Sequence, residues 1–435
     1  MEVPERPSVP PDHDVRVAQR REAIRNGLLV IPTAFVLAAI VLALALGAVD
    51  DALVDADLDL LYDGDPSAAQ TLLATIATSI VTFTSLVISV TVVALQLASQ
   101  QFSPRVLRTF FRDTGTKVAL GIFVSVFVYA LVVLRLLDPD GADATVPRLS
   151  ITVAFLLVLV ALGTFVYYVD HVVHAIRIVS IIDQVAAETR AAIREVHVPS
   201  EPPVPAEVPD RPADLVLTSE RAPGAITTVD EDDLVALAAR HRSLIRLVPH
   251  MGQFVPSGSP LAEVWGDDGQ APPLTERDVL VHIGLHRERT MTQDVAFGFR
   301  QLVDIAEKAL SPAVNDPTTA VQVLDRIHDL LRRVAVAPAP SGYHRDATGA
   351  LRLVLPVAGW EALVALACDE IRLYGGGDPQ VQRKMRMMIA DLRTVVDDER
   401  WAPLAEQLAL LDAAVDRHFP DAADRERVRR DGFAC

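Results

Sequence analysis

The sequence predicts an α-helical integral membrane protein with four transmembrane helices and both termini in the cytoplasm, followed by a cytoplasmic α+β portion. Three observations carry that expectation. Hydrophobic residues make up 51% of 435 residues, with a mean hydropathy of +0.30, and the excess is gathered into four runs before residue 180. Arginine and aspartate alternate in the loops between those runs. Beyond a Pro-rich stretch the pattern changes to short strands and then to amphipathic helices.

Residues 1–26 form a hydrophilic tail, and the first apolar run is longer than a cleavable leader's core, so it reads as a retained anchor. The spans are expected at about 28–49, 71–98, 117–137 and 149–169, each near the roughly 20 residues that cross a bilayer as a helix. Arg16, Arg20, Arg21 and Arg25 precede the first, and Arg105, Arg108, Arg112 and Lys117 lie between the second and third. Basic residues beside spans favour the cytoplasm, whereas the loop from Asp50 to Pro66 holds seven aspartates and no base. The chain is therefore placed in the bacterial inner membrane as a multi-pass protein.

Between spans two and three, Ser103 and Pro104 start a short interfacial helix over 103–113, whose Arg105, Arg108 and Arg112 share one face and suit anionic lipid headgroups. Span four continues as helix to about residue 196, closing a membrane domain of 27–196. Residues 197–214 are a Pro-rich linker, 215–289 a small β-rich module and 290–435 a helical domain. In the module, Gly252, Val255, Gly258 and Leu261 repeat as in the hairpins of barrel-sandwich folds, and "VLVHIGLHR" reads as a further strand. No lysine occupies a hairpin tip, which removes a biotinyl- or lipoyl-carrier role. Helices are expected at 294–309, 316–335, 359–374, 378–397 and 401–418.

Two long motifs, "VALQLASQQFSPRVLRTFFRD" at 93–113 and "FGFRQLVDIAEKALSPAVNDPTTA" at 297–320, carry a resemblance. With the patterns QLASxQFSPRxL and ALSPxxNDPxTA, the chain resembles, over nearly its whole length, a bacterial family of predicted membrane proteins classed as a domain of unknown function. The resemblance implies several spans and a C-terminal soluble portion, and it transfers no catalytic residues. Read physically, Ser311 and Pro312 stop one helix, Asn315 suits a left-handed turn, and Asp316 with Pro317 starts the next. An exposed helix start at Thr318 and Thr319 is the functional alternative to a plain helix-turn-helix corner.

In span two, Thr71, Thr75, Thr78, Thr82, Ser85, Ser89 and Gln96 fall within an arc of roughly 80°, which Gln100 extends. Such a stripe is either a helix-packing seam or the lining of a water-filled path. At the end of span four, Asp170, His171, His174 and Arg177 form an interfacial polar cluster, open to a metal, a pH-responsive latch or a simple anchor. Two cysteines exclude a disulfide framework and a Cys-based zinc site, and a net charge of −17 argues against nucleic acid. No nucleophile elbow, zinc-protease motif, phosphate loop or dinucleotide fingerprint occurs, so neither an enzyme nor a cofactor or metal is expected. The favoured expectation is a homo-oligomeric, channel-like protein with span two lining a passive ion path. The alternative is a membrane-anchored scaffold or sensor whose cytoplasmic domain binds a ligand or protein.

Overall fold

The structure is a computed structural model that describes residues 29–52, 62, 65–101, 114–137, 146–175, 177–197, 208–220 and 223–430. It divides into two compact units, one within 21–180 and one from Ile181 onward.

The first unit is helical: α1 (Val30–Ala52), α2 (Pro66–Gln101), α3 (Thr114–Leu136) and α4 (Arg148–Ala175). All four are long and apolar enough to cross a membrane. Helix α3 is the hub and packs against each of the others, burying Phe123, Val126, Tyr129, Ala130 and Val133. Small residues bring the helices close: Gly121 faces Phe35 and Pro32 of α1, and Ala39 and Ala43 are buried. At one end the Asp50 carboxylate accepts the backbone N–H groups of Leu149 (2.8 Å) and Ser150 (2.9 Å) and the Ser150 hydroxyl (2.6 Å). It thus caps the first turn of α4 from another helix, satisfying amides that have no partner within α4. The buried Tyr129 hydroxyl donates to the Ser150 carbonyl at 2.9 Å.

The helical continuation expected after span four is interrupted. Helix α4 ends at Ala175 and α5 spans Ile178–Val196; between them Arg177 N–H bonds to His174 O (3.2 Å) and Ser180 N–H to Arg177 O (3.0 Å). The i→i−4 ladder thus tightens to i→i−3 contacts and the helix stops without proline or glycine. Lys117, read as a loop base, sits in the first turn of α3 and is 1% exposed.

The second unit mixes sheets with helices. Strands β1 (Leu215–Thr218) and β2 (Gly224–Val229) precede α6 (Glu231–Arg240), which is followed by β3 (Ser243–Leu247), β4 (Phe254–Val255), β5 (Pro260–Gly266), α7 (Glu276–Leu280) and β6 (Ile283–His286). Then come α8 (Val295–Leu310), α9 (Pro317–Val336), β7 (Tyr343–Arg345), β8 (Leu351–Val354), α10 (Trp360–Tyr374), α11 (Pro379–Arg393), α12 (Asp398–His418) and α13 (Ala422–Arg429). Five strands run in the order β1-β5-β3-β8-β7 and three in the order β4-β2-β6; among the described residues β3 with β8 is the one parallel pairing. Leu234, Ile245, Leu261, Val264, Val279 and Leu353 fill the core beneath α6.

Three expectations change here. "VLVHIGLHR" is strand only in its second half, because Thr275 and Asp278 form a capping box that starts α7. Within the domain read as helical, the stretch between the helices expected at 316–335 and 359–374 contributes the β7–β8 hairpin to the five-stranded sheet. Helix α11 stops at Arg393, short of residue 397.

Candidate functional site

On α2 the side chains divide by angle. Ala69, Leu73, Ile76, Ala77, Ile80, Val87 and Ala94 are buried, and at 100° per residue they span roughly 100° centred opposite the hydroxyl stripe. Thr71, Thr75, Thr78, Thr82, Ser85, Ser89 and Gln96 are all exposed. The stripe is therefore not the seam by which α2 packs onto its own unit. Gln100 lies in the helix, but its side chain is outside the described residues.

Every hydroxyl of the stripe bonds back along its own helix. Thr71 donates to Ser67 O (2.9 Å), Thr75 to Thr71 O (2.7 Å), Thr78 to Ala74 O (2.9 Å), Thr82 to Thr78 O (3.1 Å), Ser85 to Val81 O (2.9 Å) and Ser89 to Ser85 O (2.8 Å). With the proton committed to an i−4 carbonyl, each oxygen offers its lone pairs outward. From Thr71 to Ser89 the hydroxyls make a ladder of acceptors some 27 Å long, 18 residue steps at about 1.5 Å each.

The opposite, packed face treats its hydroxyls differently. Thr91 donates to Val87 O at 2.7 Å and also meets the buried Tyr168 hydroxyl of α4, which itself reaches Val87 O at 3.4 Å. Thr91 stands outside the stripe named from the sequence, and a tyrosine inside an apolar span is the sequence signal for this cross-helix contact.

The polar cluster at the end of α4 is only partly assembled. His174 Nδ1 lies 2.8 Å from Asp170 O and 3.4 Å from Asp170 Oδ1, with both side chains largely exposed. His171 stacks on Tyr167 at 5.7 Å and faces Gly115 of α3, where a Cβ would come within 2.7 Å of its ring. Arg177 lies beyond the end of α4 and does not continue the helical face. Among the described residues no three His, Cys, Asp or Glu side chains are grouped as a metal site. Arg105, Arg108 and Arg112 lie outside the described residues.

The α8–α9 corner is built as its residues suggest. Asn315 takes φ +50° and donates to Ser311 O at 2.9 Å; Ser311 caps α8, Pro312 follows it, and Pro317 opens α9. Asp316 caps α9, accepting Thr319 N–H (3.1 Å) and the Thr319 hydroxyl (2.6 Å). The helix start is thereby already occupied by a carboxylate from the chain itself.

At the other end of α8, Arg289 and Asp294 form a fork within the second unit at 2.9–3.1 Å. Asp294 is 3% exposed and also accepts Phe297 N–H at 3.0 Å. Burial pushes its carboxyl up, and the Arg289 guanidinium opposes that.

A family model described as Predicted membrane protein (DUF2254) matches residues 25–391. Over 379 residues the chain is 35% identical to Uncharacterized protein Rv1290c of Mycobacterium tuberculosis and to Uncharacterized protein Mb1321c of Mycobacterium bovis, covering 85% of this chain and 72% of each relative. No solved structure matches it.

Proposed function

The chain belongs to the predicted membrane protein family DUF2254, and from that premise we propose that copies of it assemble with their α2 hydroxyl faces inward around a passive cation path. The observation that carries this reading is the outward row of hydroxyl acceptors on α2, left exposed by the described helices of its own unit. Lone pairs aimed at a lumen replace part of a cation's hydration shell and offer nothing to an anion. Arginines beside the first span and in the second connection support an inner-membrane topology with both termini cytoplasmic, and the acidic loop after α1 would then concentrate cations outside. Arg105, Arg108 and Arg112 would hold the second connection to anionic headgroups.

The test uses the full chain reconstituted into liposomes. Cation flux is expected in the wild type, and Thr82→Val with Ser85→Leu is expected to lower it about tenfold by making the face repel water. In a Cys435→Ser background, Ser85→Cys should cross-link between copies while Ile88→Cys should not, since the helical unit has no native cysteine. Wild-type protein that passes no ions overturns the path. Should Ser85→Cys also fail to cross-link, the assembly goes too, and the membrane-anchored scaffold or sensor is left, its hydroxyls already satisfied and therefore tolerable in lipid.

A further inference from the structure

We propose that His344 makes the docking of the β7–β8 hairpin onto α6 pH-dependent, so that the second unit holds a proton-sensitive edge strand. This does not rest on the conduction reading. Helix α6 begins with four consecutive acids: Asp230, its N-cap, then Glu231, Asp232 and Asp233. Two of them meet imidazoles from distant parts of the chain. His344 Nδ1 of β7 lies 3.3 Å from Glu231 Oε2, and His282 Nδ1, just before β6, lies 3.4 Å from Asp233 Oδ2.

The other charges acting on Asp230 and Glu231 are negative: Asp232 and Asp233 of the same turn, and Glu195 from the end of α5. Burial raises both carboxyls, each opposed by its neighbouring imidazole. A histidine neutralises carboxylates only when protonated, which for imidazole ordinarily means below about pH 6.5. Loss of the imidazole proton leaves these acids without that counterion. Glu231 acts with the same sign, because a carboxyl held above its ordinary value favours the folded state in acid and less so as pH rises.

The opposite side of the hairpin has no such dependence. Arg352 of β8 donates to Asp346 (2.7 Å), Asp267 (3.1 Å) and Ser243 O (3.2 Å), and Asp346 is held far below the ordinary carboxylate range by Arg352 and Thr348. Strand β8 is thus anchored by a permanent cation, while β7, the edge strand, is held to α6 by a titratable one.

Hydrogen–deuterium exchange on the full chain in detergent tests this, corrected for the intrinsic pH dependence of amide exchange with an unstructured peptide. Protection over residues 343–354 is expected to fall about two- to fivefold from pH 6 to pH 8, the range of exposed ion pairs, while α11 stays constant. His344→Gln should remove the difference, and His344→Arg should keep protection high at both values. Equal protection at pH 6 and 8 in the wild type overturns the proposal, as does an unchanged pH difference in His344→Gln. If that variant fails to fold, Glu231→Gln decides on the same criterion.

Discussion

In the helical unit the outward hydroxyls of α2 bond to carbonyls of their own helix, four residues back. In the mixed unit the side-chain bonds run between elements far apart in sequence, as in Arg326 to Asp183 (2.6 Å) and Arg386 to Asp412 (2.6 Å). Its helices are capped by aspartates at 230, 294, 316, 378 and 397. The difference shows where each unit finds its surroundings. Only 17–44% of each apolar window in the helical unit is buried, so most of that surface must be covered by lipid or other copies. The mixed unit ties its elements to one another by such pairs, which mark folding more than binding.

The comparison breaks most visibly if a polar lock of the mixed unit proves dispensable. Gly252 takes φ +78°, and a Cβ there would overlap the Asp294 carboxylate and the Arg289 guanidinium. Gly252→Ala is therefore expected to cost about 3–5 kcal/mol, combining left-handed strain with disruption of a buried ion pair. The three tryptophans, Trp265, Trp360 and Trp401, all lie in this unit, so their fluorescence in a urea titration reads its unfolding alone. A loss below about 1 kcal/mol would mean that the fork is not what joins the β4 turn to α8.

The reciprocal perturbation sits in the helical unit. Asp50→Ala removes three bonds to the first turn of α4, and the expected cost is about 1–2 kcal/mol, as for other lost N-caps. Thermal loss of helical circular dichroism in detergent should shift while the tryptophan transition stays put. Asp316→Ala, a cap of the usual local kind in the mixed unit, is expected to cost about 1 kcal/mol and to move the tryptophan transition together with the helical signal of that unit. If Asp50→Ala also moves the tryptophan transition, the two units do not unfold independently.

What the sequence revealed follows from the range of the forces involved. The four apolar helices were legible because hydropathy in a membrane needs no partner, and the Ser311 to Pro317 corner because caps and turns are local. The β7–β8 hairpin was not: "YHRDATGALRLV" is short and charged, and its strands form through a parallel pairing with β3, about a hundred residues upstream. The break between α4 and α5 carries neither proline nor glycine, so nothing local announces it. At the candidate site, the hydroxyl stripe was visible as an angular pattern, but its direction was decided by the small and apolar residues opposite it. The capping of α4 by Asp50 joins residues 99 and 100 apart, beyond any local signal.

The smallest expected effect is the one that sharpens the comparison furthest, because it sets two hydroxyls of one helix against each other. Thr91 lies on the packed face and meets buried Tyr168, so Thr91→Val removes a hydroxyl contact from a buried phenol and should cost about 1–2 kcal/mol. Ser89, two residues away on the exposed face, gives its proton to a carboxyl-free partner, the carbonyl of Ser85, which the helix ladder already occupies. Ser89→Ala should therefore change stability by less than about 0.5 kcal/mol in detergent, read from the same helical transition. Equal costs for the two would mean that Ser89 has a partner in the assembled protein that its own unit does not supply, and the outward face would then be a contact between copies and not a surface open to water.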